Sequence, residues 1–175
     1  MSEELKNALV GCGAILYGDF TLASGKKSRY YIDIKRATTD PKVLGLTAEL
    51  MAKDMGPDHG FQRIAGVALG SIPLAVALSL RTGIPFVMVR KEKKDHGTSK
   101  LIEGQLSPGE TVLVVEDVIT SAGSAVYAVD TLRQAGAVVD TVFSVVDREE
   151  GGREVLHKMG VDMRSLIAAS DILGN

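Results

Sequence analysis

The chain has 175 residues, of which 45% are hydrophobic and 24% charged, with a formal net charge of −2. This length suits one domain with a substantial core, and this balance excludes wholesale disorder. The small negative charge argues against a globally basic surface that coats nucleic acid.

The opening MSEELKNALVGCGAI predicts a helix: Ser2 can cap it, Glu3 and Glu4 suit its positive end, and Leu5, Ala8, Leu9 and Cys12 share one face. An acidic start is unlike a signal peptide, and no apolar run approaches the roughly 18 residues of a membrane span. Cys12 is the only cysteine, so no intrachain disulfide can form, and a reducing, cytoplasmic setting is expected. Without a His–Asn/Asp signature beside it, its thiol is expected to pack as a small apolar group. Residues 20–22 and the alternating Tyr30, Ile32 and Ile34 read as two short strands around the polar turn 24–28.

From Asp40-Pro41 a regular alternation begins. The pattern predicts a helix to about Gly56, a strand at 64–68, a helix at 72–82 closed by Gly83, and a strand at 86–89. A polar stretch at 90–109 follows, then a buried strand at 111–115, a helix at 125–135 closed by Gly136, and a strand at 138–146. A short helix at 153–159 and a strand at 161–167 finish the chain. Such alternation implies an α/β fold, a parallel sheet flanked by helices on both faces. The first 36 residues fall outside it and are expected to form a small accessory lobe on a core of residues 37–175, the whole chain 1–175 being a single domain.

In open parallel sheets, ligands bind beyond the carboxyl ends of the strands. Those ends carry Leu69-Gly70-Ser71, then the cationic run Arg90-Lys91-Glu92-Lys93-Lys94-Asp95-His96-Gly97, then Glu116-Asp117 leading to Thr120-Ser121-Ala122-Gly123-Ser124, and finally Arg148 in VDREEGG. Small residues before a helix let backbone N–H groups close around a phosphate, and hydroxyls of Thr120, Ser121 and Ser124 add donors. The acids cannot serve that phosphate, because like charges repel; they suit a diol or a metal ion. A strand end followed by an ordinary helix cap is the plainer reading of the same spacing. The run at 90–97 could be a solvated face, yet at this edge it reads as a loop able to close on a diphosphate leaving group. Arg148 alone would be a surface ion-pair partner, but its planar fork also fits a carboxylate. His59 and His157 lie outside any motif. The segment 24–28 lacks the register of a Walker A loop, and no G-x-G-x-x-G occurs.

The segment VLVVEDVITSAGS (112–124) resembles the motif by which type I phosphoribosyltransferases bind 5-phosphoribosyl 1-diphosphate (PRPP). The resemblance implies that Glu116 and Asp117 accept hydrogen bonds from the ribose hydroxyls, Asp117 as a catalytic group, and that Val118, Ile119, Thr120, Ser121, Ala122, Gly123 and Ser124 complete the PRPP site. RKExKDHG resembles the catalytic loop of the orotate phosphoribosyltransferases in particular. By that likeness Arg90, Lys91, Lys94 and His96 contact the diphosphate, Lys94 as the chief catalytic cation, while Lys93 is solvated. VDREEGG and the segments around Phe20 and Tyr31 are also similar to that family, which implies that Arg148 and Thr120 meet orotate, with Tyr31 and Ile32 lining its pocket. The accessory lobe is then a hood over the base. Two positions depart from the pattern: many bacterial members have Lys where this chain has Ala23, and a Tyr-Lys pair where it has Leu69-Gly70.

The resemblance further implies transfer of ribose 5-phosphate to N1 of orotate in UMP biosynthesis, with Mg²⁺ held mainly through PRPP and by no direct metal ligand of the protein. It implies a homodimer sharing the loop 90–104 across its interface, with no nucleic-acid or membrane partner. A phosphoribosyltransferase for another base is the nearest rival, against which Arg148, the hood and the RKExKDHG loop speak. A PRPP-sensing regulator is a second, and it would carry a nucleic-acid-binding appendage for which no segment is evident.

Overall fold

A computed structural model of the chain describes residues 3–21, 27–91 and 101–173. Ser2, Leu22, Ala23, the turn residues 24–26 and the loop residues Glu92 to Lys100 lie outside them. The N-terminal part contains α1 (Glu3–Gly11), β1 (Ile15–Thr21), β2 (Lys27–Ile32) and α2 (Ile34–Thr39). The alternating part contains α3 (Pro41–Met55), β3 (Arg63–Val67), α4 (Ile72–Thr82), β4 (Phe86–Val89), β5 (Ile102–Glu103), β6 (Thr111–Ile119), α5 (Gly123–Gln134), β7 (Val138–Asp147), α6 (Gly152–Lys158), β8 (Asp162–Ala168) and α7 (Ala169–Leu173).

The central sheet has the order β5-β4-β3-β6-β7-β8. Its strands run parallel except β5, which pairs antiparallel with β4 at the edge. The run Val112-Leu113-Val114-Val115 explains why β6 can lie near the centre. Its side chains alternate between two cores, Leu113 and Val115 joining Leu74, Leu78, Met51 and Phe143 on one face. Val112 and Val114 join Val87, Val129, Leu132 and Leu156 on the other. A strand covered on both faces needs apolar residues at every position, which is what this run supplies.

Helix boundaries follow local chemistry. Oδ1 of Asp40 accepts from the N–H groups of Lys42 and Val43 at 2.9 and 3.1 Å, with Pro41 opening α3. Gly83 closes α4 at φ 77°, a left-handed conformation that a side chain would strain.

The β1–β2 hairpin forms its own two-stranded antiparallel sheet, while Leu5, Leu9, Ile15, Tyr30 and Ile34 pack into the larger core. α1 and β1 are tied to the C-terminal helix: Lys6 Nζ donates to the Asp171 carbonyl at 2.8 Å, and Tyr17 Oη to that of Ile172 at 3.1 Å.

Several boundaries differ from expectation. The first strand starts at Ile15, well before Phe20, and Ile34 opens a helix instead of ending a strand. Strand β6 runs past Val115 to Ile119, because its ladder with β7 continues through Glu116–Ser144, Val118–Val146 and Ile119–Asp147. The sheet is mixed at its edge, since two residues of the polar stretch add β5.

Candidate active site

The carboxyl ends of β3, β4, β6 and β7 bring Arg90, Lys91, Glu116, Asp117, residues 118–124 and Arg148 to one edge of the sheet. At the end of β6, Ile119 is buried in the core, so it offers only backbone to a ligand. Thr120 and Ser121 are exposed, and Ala122 turns the chain at φ 65° into α5. No side chain caps α5 among the described residues. Its first N–H groups therefore face the loop without a side-chain acceptor, the arrangement that favours a phosphate.

Glu116 and Asp117 occupy the last turns of the ladder and differ in environment. Glu116 is buried, and its Oε1 has no hydrogen-bond partner. Burial, and then the neighbouring Asp117 charge, push its carboxyl from 4.5 up to about 7; a hydrogen bond from the Ser71 side chain opposes them, as does the nearby Lys91 ammonium. Asp117 is half-buried, and its Oδ1 accepts from the Val118 N–H at 2.8 Å. Its Oδ2 fills the space beside Gly70, where a Cβ would stand only 2.6 Å away. A residue with any side chain at 70 would push this carboxylate out of place. Next to it Leu69 is 82% exposed, and the Ala68–Leu69 peptide is cis.

Arg90 and Lys91 leave β4 toward this edge. The Arg90 N–H donates to the Leu101 carbonyl at 2.8 Å, and Tyr127 Oη of α5 donates to the Arg90 carbonyl at 2.9 Å. Arg90 Nη1 lies 3.5 Å from Glu103 Oε1. Lys91 lines a cleft of about 260 Å³ with Gly123, Ser124 and Tyr127, so a cation stands at the start of α5. A second cleft of about 580 Å³ is lined by Leu69, Ile72, Met88, Arg90, Lys91 and Glu103. Lys94 and His96 lie outside the described residues.

The loop after β7 holds Arg148 beside the end of β6 and the turn into α5. The Arg148 N–H donates to the Ile119 carbonyl at 2.8 Å, joining the two strand ends. Buried Asp147 fixes the following turn, its Oδ1 accepting from the Glu149 N–H at 2.8 Å while Oδ2 pairs with Arg153 at 3.1 Å. Glu149, at φ 55°, anchors Ser170 N–H and Oγ at 2.7 and 3.1 Å. Gly152 then brings α6 against Ile119 and Thr120 more closely than a Cβ would permit.

The Arg148 guanidinium lies over the Tyr30 ring, 5.0 Å from its centre, and Nη2 stands 3.0 Å from Glu150 Oε1. Its Nε is buried without a partner. Tyr31 lies 5.7 Å from Phe20 between ring centres and is 43% exposed; Ile32 is partly buried against the core. Tyr30, Gly70, Ser71, Asp147, Glu150 and Gly152 are site-building residues that the sequence reading missed. The period of two in β2 already sets Tyr30 and Tyr31 on opposite faces, but nothing local says which face meets Arg148.

A mostly parallel sheet with paired acids, an uncapped small-residue loop and cations at its carboxyl edge is the frame of a phosphoribosyltransferase, and the model of the phosphoribosyl transferase domain matches residues 41–171. The orotate phosphoribosyltransferase of Methanocella arvoryzae is 50% identical over 174 residues, 99% of this chain and 98% of that one. That of Methanosarcina mazei is also 50% identical, over 98% of this chain and 91% of its own. The crystal structure of the orotate phosphoribosyltransferase from Aeropyrum pernix superposes with a TM-score of 0.86 at 38% identity, covering 97% of this chain and 96% of that one. The chain belongs to the orotate phosphoribosyltransferase family.

Proposed function

We propose that the chain transfers the ribose 5-phosphate of PRPP to N1 of orotate, with inversion at the anomeric carbon, releasing pyrophosphate and orotidine 5′-monophosphate (OMP) for UMP synthesis. The observation that supports this reading is the backbone bond from Arg148 to Ile119, which holds an arginine suited to a carboxylate next to a loop suited to a phosphate. Residues 118–124 anchor the 5-phosphate through backbone N–H groups and the hydroxyls of Thr120, Ser121 and Ser124. Glu116 and Asp117 accept from the ribose hydroxyls, and an ionised Asp117 favours the positive charge that grows on the ribose. Arg90, Lys91, Lys94 and His96 draw off the diphosphate, Lys94 bearing most of the charge that develops as it leaves. Arg148 takes the orotate carboxylate with Thr120 close to the base, and the N-terminal segment, including Tyr31 and Ile32, serves as the hood of a single catalytic domain.

Magnesium is the cofactor this chemistry implies. Among the described residues, no group of three or more His, Cys, Asp or Glu could hold a metal ion. The carboxylates of Glu116 and Asp117 are hard oxygen donors, and the unpartnered Oε1 of Glu116 fits an ion that arrives on PRPP. When bound, it neutralises the diphosphate. The protein works as a cytoplasmic homodimer whose loop 90–104 reaches the partner's ribose site. No helix among the described residues is long and apolar enough to cross a membrane.

The direct test is to mix the protein with Mg²⁺, PRPP and orotate and follow the loss of orotate absorbance, with adenine or uracil as alternative acceptors. Turnover confined to orotate supports the reading. Turnover of another base in its place, or none in a folded protein that binds PRPP, rejects it.

A further inference from the structure

The resident partner of Arg148 is a carboxylate from its own loop. Glu150 Oε1 stands 3.0 Å from Nη2, and its side chain is 45% exposed against 11% for Arg148. A carboxylate can grip a guanidinium with two parallel hydrogen bonds in two ways: side-on through Nε and Nη2, or end-on through both Nη atoms. Both modes use Nη2. A carboxylate pairing in either mode would bring an oxygen onto Nη2 beside the Glu150 carboxylate, and the two like charges repel while Glu150 keeps its place.

The resident pair is also the poorer of the two. It leaves Nε buried without a partner, and an unsatisfied buried N–H is unfavourable. The flanking residues are held independently, Glu149 by Asp147 and Ser170 and Gly151 at φ 91°, so the Glu150 side chain can leave without disturbing the loop.

We propose that Glu150 is a specificity-determining residue: an exchangeable carboxylate that occupies Arg148 in the empty site, yields to the carboxylate of orotate, and returns as OMP departs. This rests on the reading of Arg148 as the partner of the orotate carboxylate. The exchange keeps a nearly buried cation from standing unpaired before substrate arrives. A base without a carboxylate brings no charge that could displace Glu150 from the guanidinium. Orotate gains only the difference between a bidentate pair and the one it displaces, so its affinity, and that of the product, is held down.

OMP and UMP differ only in that carboxylate, which makes them the discriminating probes. Their affinities for the full-length protein are measured by calorimetry in wild type, Glu150→Gln and Arg148→Ala, with unfolding temperatures recorded for each. Removing the half-exposed competitor should tighten OMP by roughly two- to fivefold and leave UMP unchanged, while Arg148→Ala weakens OMP alone. Should Glu150→Gln weaken OMP or leave it unmoved while Arg148→Ala still weakens it, Glu150 is only an orienting or surface residue and the exchange is rejected. Equal shifts in OMP and UMP reject it as well. If Arg148→Ala leaves OMP binding intact, the assignment of Arg148 fails, and the role of Glu150 fails with it.

Discussion

A Cβ on Gly152 would stand 2.6 Å from the carbonyl oxygen of Thr120, so the first turn of α6 is seated directly on the loop that leads from β6 into α5. A further atom in its path, Cγ2 of Ile119 at 2.5 Å, belongs to a core side chain that is itself fully packed. Neither neighbour can swing away, because one is backbone and the other is buried. Gly152→Ala should therefore destabilise the protein by about 1–3 kcal/mol and raise the KM for PRPP. Denaturant unfolding and steady-state kinetics would check it, and an alanine variant with native stability and native KM would contradict the seating.

Gly70 makes the opposite case. The atom its Cβ would strike is Oδ2 of Asp117, the far end of a half-buried side chain. That carboxylate can rotate, so Gly70→Ala should fold with an unfolding temperature close to wild type. It should nonetheless lose on the order of tenfold or more in kcat/KM for PRPP, since displacing a positioned group by about 1 Å is costly to catalysis. A large fall in stability without a specific kinetic defect would show that Gly70 serves packing instead.

The raised carboxyl of Glu116 has a defined signature in pH. Its value is about 7 in the folded chain against 4.5 otherwise, with burial the first cause. Below pH 4.5 both folded and unfolded chains hold the proton and no cost arises. Between 4.5 and 7 the unfolded chain releases it while the folded chain retains it, so stability falls as pH rises. Above 7 the penalty is constant, at about 3 kcal/mol. Glu116→Gln removes this titration, so its stability relative to wild type should grow from pH 4.5 to pH 7 and then level. Parallel profiles for the two proteins across that range would exclude a perturbed Glu116.

These relationships show where sequence and structure part. The strand VLVV was legible because a run apolar at every position fits only a strand buried on both faces, and Asp40-Pro41 announced its helix by cap chemistry. Glu116-Asp117 and the small-residue turn stand out by their order as a candidate phosphate-and-diol site, though the same order also fits an acidic strand end and a helix cap. The strand was nonetheless ended too early, at Val115, because two acids look like a loop when the β7 ladder that continues through them is unseen. That Tyr30 lies under Arg148 is not legible in the sequence, because the packing of the hairpin, not its alternation, decides which ring meets the guanidinium. Gly70, Ser71 and Gly152 act through neighbours distant in the chain, and no local pattern marks such contacts.

The proposed division of labour across a dimer can be tested through Lys94, which lies outside the described residues. Lys94→Ala should lower kcat by roughly 10²-fold or more with a much smaller effect on PRPP binding, because it meets charge that appears only as pyrophosphate leaves. Mixing this variant with Asp117→Asn, in equal amounts and after proven subunit exchange, should restore about a quarter of wild-type activity if the loop acts on the partner's site. No recovery would place the loop over its own chain's site.

The central claim, that Arg148 beside the phosphate loop selects orotate by its carboxylate, is tested most directly by the two Michaelis constants of Arg148→Ala. Losing a charge-assisted pair should cost on the order of 1.5–3 kcal/mol. The KM for orotate should accordingly rise by roughly ten- to a hundredfold while that for PRPP stays near its wild-type value. Equal damage to both constants, or an unchanged KM for orotate in a stably folded variant, would contradict the claim and leave Arg148 as a structural partner of Tyr30 and Glu150.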